Sequence, residues 1–146
     1  MPPKKSDGFS AQEKAAMAER ARELKKDAKN AQIREEGERD LLAKIAEMAP
    51  DEGEIATTLH KLVTMHAPML WPKTWYGMPA WHKDGKVVCF YQSASKFGVR
   101  YNTFGFQEAA ALDDGTFWPT GYALLAITPE VEQRIVALIK QATGQK

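Results

Sequence analysis

Apolar residues recur at helical spacing at both ends of the chain and at strand spacing in its middle. Met17, Ala21, Leu24, Ala28 and Ala31 alternate steps of four and three, which puts them on one helix face. Only Met17 and Leu24 are large, so the stripe predicts a shallowly docked helix over about 10–30. Ser10 followed by Glu13 is a capping box at its start, with Phe9 placed to staple that end. A second helix is predicted over 36–48, with Leu41, Leu42, Ile45 and Met48 on its buried side. Glu35–Arg39 and Asp40–Lys44 are i,i+4 ion pairs worth about 0.2–0.5 kcal/mol each. Pro50 ends this helix, and Asp51 with Glu54 reads as the cap of a third, over 52–66. Ile55, Leu59, Leu62, Val63 and His66 share its buried side, and Pro68 stops it. The last helix opens on Thr128-Pro129, a capping residue followed by a proline at the first helical position. Val131, Ile135, Leu138 and Ile139 form its stripe, and Gly144 closes it.

Between these helices the period changes to two. Lys83-Asp84-Gly85-Lys86 is the strongest turn signal, because Asp-Gly supplies the positive φ angles of a two-residue type I′ hairpin. The turn predicts a register in which His82 faces Val87, Trp81 faces Val88, Ala80 faces Cys89, Pro79 faces Phe90 and Met78 faces Tyr91. Side chains alternate between faces. One face then carries Gly77, Pro79, Trp81, Val88 and Phe90, and the other Met78, Ala80, His82, Val87, Cys89 and Tyr91. Both faces are largely apolar, so both are expected to be covered, by helices, a partner or a ligand. Pro79 has no N–H to give to a ladder and belongs at an edge or a bulge. Residues 97–102 alternate as a third strand, with Phe97, Val99 and Tyr101 on one face. A short helix is expected over 107–112, a fourth strand over 116–119, and an extended entry to the last helix over 122–127.

The predicted class is α+β: an antiparallel sheet of four or five strands flanked by N-terminal helices and a C-terminal helix. A disordered tail over 1–9 precedes a single domain over 10–146, in which 10–35 is a charged helical extension and 36–146 the core. Composition sharpens the division. Of the fourteen Phe, Trp and Tyr residues only Phe9 lies outside 71–122, whereas residues 1–54 hold 13 acidic and 11 basic side chains. The formal net charge is +1, which gives no bulk electrostatic case for nucleic acid or an anionic membrane. No apolar run approaches the ~20 residues of a spanning helix. The single cysteine, Cys89, rules out an internal disulfide and fits a reducing compartment, so a cytoplasmic location is expected.

Tyr76-Gly77-Met78-Pro79-Ala80, the hairpin, the aromatic third strand, and Asp114-Gly115-Thr116 leading into Phe117-Trp118-Pro119 together resemble the YdhG-like family, domain of unknown function 1801. The resemblance covers roughly 40–143 and leaves out the charged extension. It implies a small α+β fold with an antiparallel sheet between helices. Some relatives carry an iron-chaperone, frataxin-like label, which the resemblance extends to this chain as an alternative function.

The residues themselves argue for little chemistry. Zinc wants four Cys or His ligands at set spacings. His60 and His66 lie six apart on one helix and diverge, and His82 is offset from Cys89. Clustered carboxylates over 35–40 and 51–54 are the only hard-cation candidates. Cys89 sits mid-strand, which favours an inert thiol. The chain has no nucleophile elbow, P-loop or dinucleotide fingerprint. We therefore expect no catalytic residues, no cofactor and no bound metal. Arg100, a guanidinium among Phe97, Val99 and Tyr101, needs a carboxylate, a phosphate or a ring face. The expectation is a non-enzymatic binding module. It would hold a small, partly apolar or anionic ligand, or a partner protein, against Trp75, Met78, Trp81, Tyr91, Arg100 and Tyr101. A homodimer using the same face is the structural alternative; nucleic acid and membrane are not expected partners.

Overall fold

The computed structural model describes residues 11, 14, 15, 17, 18, 21 and 30–145. The chain divides into two compact units, 1–35 and 36–146. In the first, Ala11, Lys14, Ala15, Met17, Ala18 and Ala21 are helical and exposed. The tail over 1–9, the Phe9 staple and the Ser10–Glu13 capping box lie outside the described residues.

The elements run α1 (Asn30–Ala46), α2 (Pro50–His66), β1 (Trp71–Trp75), β2 (Met78–Lys83), β3 (Lys86–Gln92), α3 (Ala94–Phe97), β4 (Thr103–Phe106), β5 (Gly121–Ala123) and α4 (Pro129–Ala142). The five strands form one antiparallel meander in the order β1-β2-β3-β4-β5. The fold is α+β, with helices before and after the sheet, as the periodicity predicts.

The three long helices each bury part of the stripe their spacing marks out. Leu41 and Ile45 of α1, Ile55, Leu59, Leu62 and Val63 of α2, and Ile135 and Ile139 of α4 join one core with Trp81, Val88, Cys89, Tyr91, Phe104 and Phe106 of the sheet. Burying a large apolar side chain is worth about 1.5–3 kcal/mol, so this one face of the sheet is the main source of stability. Leu42, expected on the buried side of α1, is exposed. Helix α2 begins at Pro50 rather than after it. Its N-cap is Ala49 with no side-chain cap bond, so Asp51 lies within the first turn and does not cap it. Thr128 does cap α4: its hydroxyl accepts from the Val131 N–H at 3.2 Å. Lys44 pairs with Glu47 at 3.6 Å.

The Asp84-Gly85 turn forms as expected, with φ of 53° and 80°. His82 opposes Val87, but the register then shifts: Trp81 opposes Cys89 and Ala80 opposes Phe90. A β-bulge at Val88 has inserted one residue into β3. A one-residue shift exchanges faces. Trp81, Val88, Cys89 and Tyr91 consequently all enter the core, and Phe90 moves to the opposite face with Met78 and Ala80. The regular register would have split Trp81 from Cys89 and Tyr91. The bulge lets all three be fully buried. The β2–β3 pairing ends at Ala80, so the missing N–H of Pro79 falls where that ladder has stopped.

Strand β1 has no counterpart in the sequence reading. It is closed by a second two-residue turn at Tyr76-Gly77, with φ of 51° and 76°. Its outer edge is approached by α1 at Gly37, where a Cβ would collide with the Pro72 carbonyl. The expected strand over 97–102 is instead the single-turn helix α3, stopped by Gly98 at φ 65°, and an irregular connection. Residues 107–112 form a turn closed by Ala110 N–H to Gln107 O, not a helix. Residues 116–119 are irregular, and the last strand lies at Gly121–Ala123.

Candidate functional site

With one face of the sheet given to the core, the other is where aromatic surface reaches solvent. Pairing in β1 and β2 puts Trp71, Lys73 and Trp75 on the same side as His82, Ala80 and Met78. Phe90 joins them from β3 and lies over Gly105 of β4, where any Cβ would strike its ring. Trp75 packs against Phe90, with ring centroids 5.3 Å apart. Trp71 meets His82 edge-on at 6.4 Å. Met78 and Ala80, on the same side, are buried, whereas Trp71, Trp75, His82 and Phe90 stay half-buried.

At the flank of this face an open groove of about 470 Å³ is lined by Lys73, Trp75, Gly85, Lys86, Val87, Gln107, Glu108 and Ala109. Its walls come from β1, from the Asp84-Gly85 hairpin and from the turn after β4. The Gln107 N–H bonds to Val88 O, which fixes that turn against the bulged strand. Two lysines and one glutamate thus line the groove together with a tryptophan and a valine. The volume is of the order that small-molecule sites occupy.

Of the six side chains expected to form a ligand site, only Trp75 lines the groove. Met78 sits opposite Trp75 across the β1–β2 turn and is buried. Trp81 and Tyr91 are fully buried in the core, on the helix-covered side of the sheet. Arg100 and Tyr101 are exposed on the connection before β4, with the guanidinium 5.0 Å from the Tyr101 ring, so Arg100 takes a ring face as its partner. The six are not brought together, because the bulge sends Tyr91 inward and no strand carries Arg100 and Tyr101 to the outer face. Lys73, Lys86, Val87 and Gln107 line the groove without having been expected there. The Trp71-Pro72-Lys73-Thr74-Trp75 alternation before a Tyr-Gly pair is the signal that could have revealed the first of them.

Buried polar groups form two further clusters, both structural in their bonding. His60 of α2 is stacked near Trp81, accepts the Trp81 indole N–H at Nδ1 (3.2 Å) and bonds Glu38 of α1 through Nε2 (2.7 Å). With Nδ1 accepting, Nε2 carries the proton and donates it to the carboxylate. Glu52 of α2 accepts the Ser95 hydroxyl at 2.6 Å and lies within 3.3 Å of the Ser95 N–H, holding the first turn of α3. The Tyr91 hydroxyl donates to the Glu52 backbone carbonyl at 3.0 Å. Burial pushes the Tyr91 phenol above its ordinary range, and the nearby Glu52 and Asp51 carboxylates add to the shift. Burial alone pushes the Cys89 thiol far above its ordinary range, so it is held as the protonated, unreactive form. Among the described residues no three His, Cys, Asp or Glu side chains form a group that could hold a metal ion, and no helix is long and apolar enough to cross a membrane.

Compared with family profiles, with curated proteins and with solved structures, the chain matches none.

Proposed function

We propose that the chain is a non-enzymatic binding module that holds a small, planar, partly apolar organic anion in the groove at the flank of the outer sheet face. One observation carries this reading: Trp75 and Val87 line a concave space of about 470 Å³ together with Lys73 and Lys86. Trp75 and Val87 supply apolar contact and the lysines supply charge complementarity for a carboxylate, sulfonate or phosphate. Membership of the YdhG-like family is part of the same proposal and rests on the Gly77-Met78-Pro79 strand and the Gly115-Thr116 segment. The iron-handling alternative needs converging carboxylates. Glu52 is instead engaged by Ser95, and Glu38 by His60.

The dye 8-anilinonaphthalene-1-sulfonate is itself a planar aromatic anion, and it serves as the test ligand. Its fluorescence should rise on binding the native protein, and Trp75→Ala or Lys73→Glu should remove most of that rise. Dye binding that ignores both substitutions would sink the proposal. Sedimentation across a concentration series separates this reading from a homodimer covering the same face.

A further inference from the structure

The molecule contains two hairpins with the same turn geometry, and they treat that geometry differently. A type I′ turn needs positive φ at both central positions, a region that Asn, Asp and Gly enter readily and bulky side chains seldom do. The β2–β3 turn uses Asp84-Gly85, at 53° and 80°. The β1–β2 turn sets Tyr76 in the same first position, at φ 51°, followed by Gly77 at 76°. A bulky aromatic residue is thus held in a strained backbone conformation with 79% of its surface exposed. Burial does not compensate for that strain.

What the Tyr76 ring does touch is Trp75, edge-on at 4.9 Å and 69°. Phe90 contacts Trp75 as well, at 5.3 Å. The indole therefore contacts two rings, and the second of them, Phe90, is seated on Gly105. The tip is also tied down. The Lys96 ammonium donates to the Gly77 carbonyl at 2.9 Å, and Lys96 belongs to α3, whose first turn Glu52 holds through Ser95. Strain of this kind persists only where the surroundings over-determine it, and it gathers where a group must be kept in place.

We infer that Tyr76 is a positioning residue for the groove: its ring braces the Trp75 indole as a fixed wall, and the favoured Asn or Asp is forgone at the turn for that purpose. The inference rests on the groove being the binding site, but its first readout needs no ligand. The full-length protein is made as Tyr76→Asn and Tyr76→Phe. Order of the Trp75 indole is followed by the ¹⁵N heteronuclear NOE of its N–H, a resonance assigned by its loss in Trp75→Phe.

Tyr76→Asn should leave the melting temperature no lower than that of the parent, because Asn-Gly suits the turn. The same variant should lower the indole NOE and weaken anilinonaphthalene sulfonate binding by about three- to tenfold, the range a lost ring pair allows. Tyr76→Phe should keep both. A Tyr76→Asn protein whose indole order and dye affinity match the parent overturns the inference. So does a Tyr76→Phe protein that behaves like Tyr76→Asn, since the ring would then not be the brace. If the parent binds no dye, the binding proposal fails, and the NOE alone still decides whether Tyr76 orders Trp75.

Discussion

His60 is constrained at both ends, because its two ring nitrogens have opposite tasks. Nδ1 must stay bare to receive the Trp81 N–H, and Nε2 must carry a proton for Glu38. Replacing His60 with Phe keeps a ring beside Trp81 but leaves a buried indole N–H without its acceptor. An orphaned buried donor costs about 1–3 kcal/mol, and urea unfolding of His60→Phe should show a loss of that size. Glu38→Gln should stay within about 1 kcal/mol, because the carboxylate is half-exposed. Cys89 and Tyr91 set a pH limit. Both are acids whose folded forms hold their protons more tightly than the unfolded chain does. The unfolded state therefore sheds protons first as pH rises. Full stability is present below the ordinary thiol value of 9.0 and is lost progressively above it, with Tyr91 adding its share above 10.0. Each group steepens the fall by up to about 1.4 kcal/mol per pH unit. Denaturant titrations between pH 8 and 11 should show this slope, and Cys89→Ala should make it shallower.

At the scale of elements, edges and connections explain what periodicity missed. An exposed edge strand invites pairing with another chain, and native sheets shield such edges. Here α1 approaches β1 so closely at Gly37 that no side chain fits against the Pro72 carbonyl. Alanine would favour the helix by about 1 kcal/mol, but the helix would have to move off the sheet. Overpacking of this sort costs about 1–3 kcal/mol, so Gly37→Ala should lower the melting temperature where helix propensity alone predicts a rise. Residues 97–102 show the converse. Their alternation reads as a strand, yet Glu52, more than forty positions earlier, caps a helical turn at Ser95. Asn102 then accepts the Ala94 N–H and donates to Leu124 O, binding the connection to both neighbours. Glu52 and Leu124 are distant in sequence, so no local pattern announces them.

For the whole molecule, the unit over 36–146 contains the full sheet and the core residues of α1, α2 and α4. A chain beginning at residue 36 should therefore unfold in one cooperative transition, and it should bind anilinonaphthalene sulfonate as the full chain does. Circular dichroism melts and dye titrations of the two proteins check this. A shortened chain that melts without a cooperative transition would place part of the core's support in residues 1–35. The groove also belongs to this scale. Its walls come from β1, the Asp84-Gly85 hairpin and the turn after β4, so it exists only once three separated segments have met.

Local physics was enough to determine much from sequence alone. The spacing of Ile55, Leu59, Leu62 and Val63 defines α2, Thr128-Pro129 starts α4, and Asp84-Gly85 turns the central hairpin. Each depends on neighbours within one or two turns of chain. Tertiary structure alone decided the bulge at Val88, and with it which of Trp81, Phe90 and Tyr91 face the helices. Alternation specifies two faces but not which is inner when both are apolar, and one inserted residue exchanges them. The helices resolve that ambiguity by offering a single apolar layer, and the chain takes the register that buries the most beneath it.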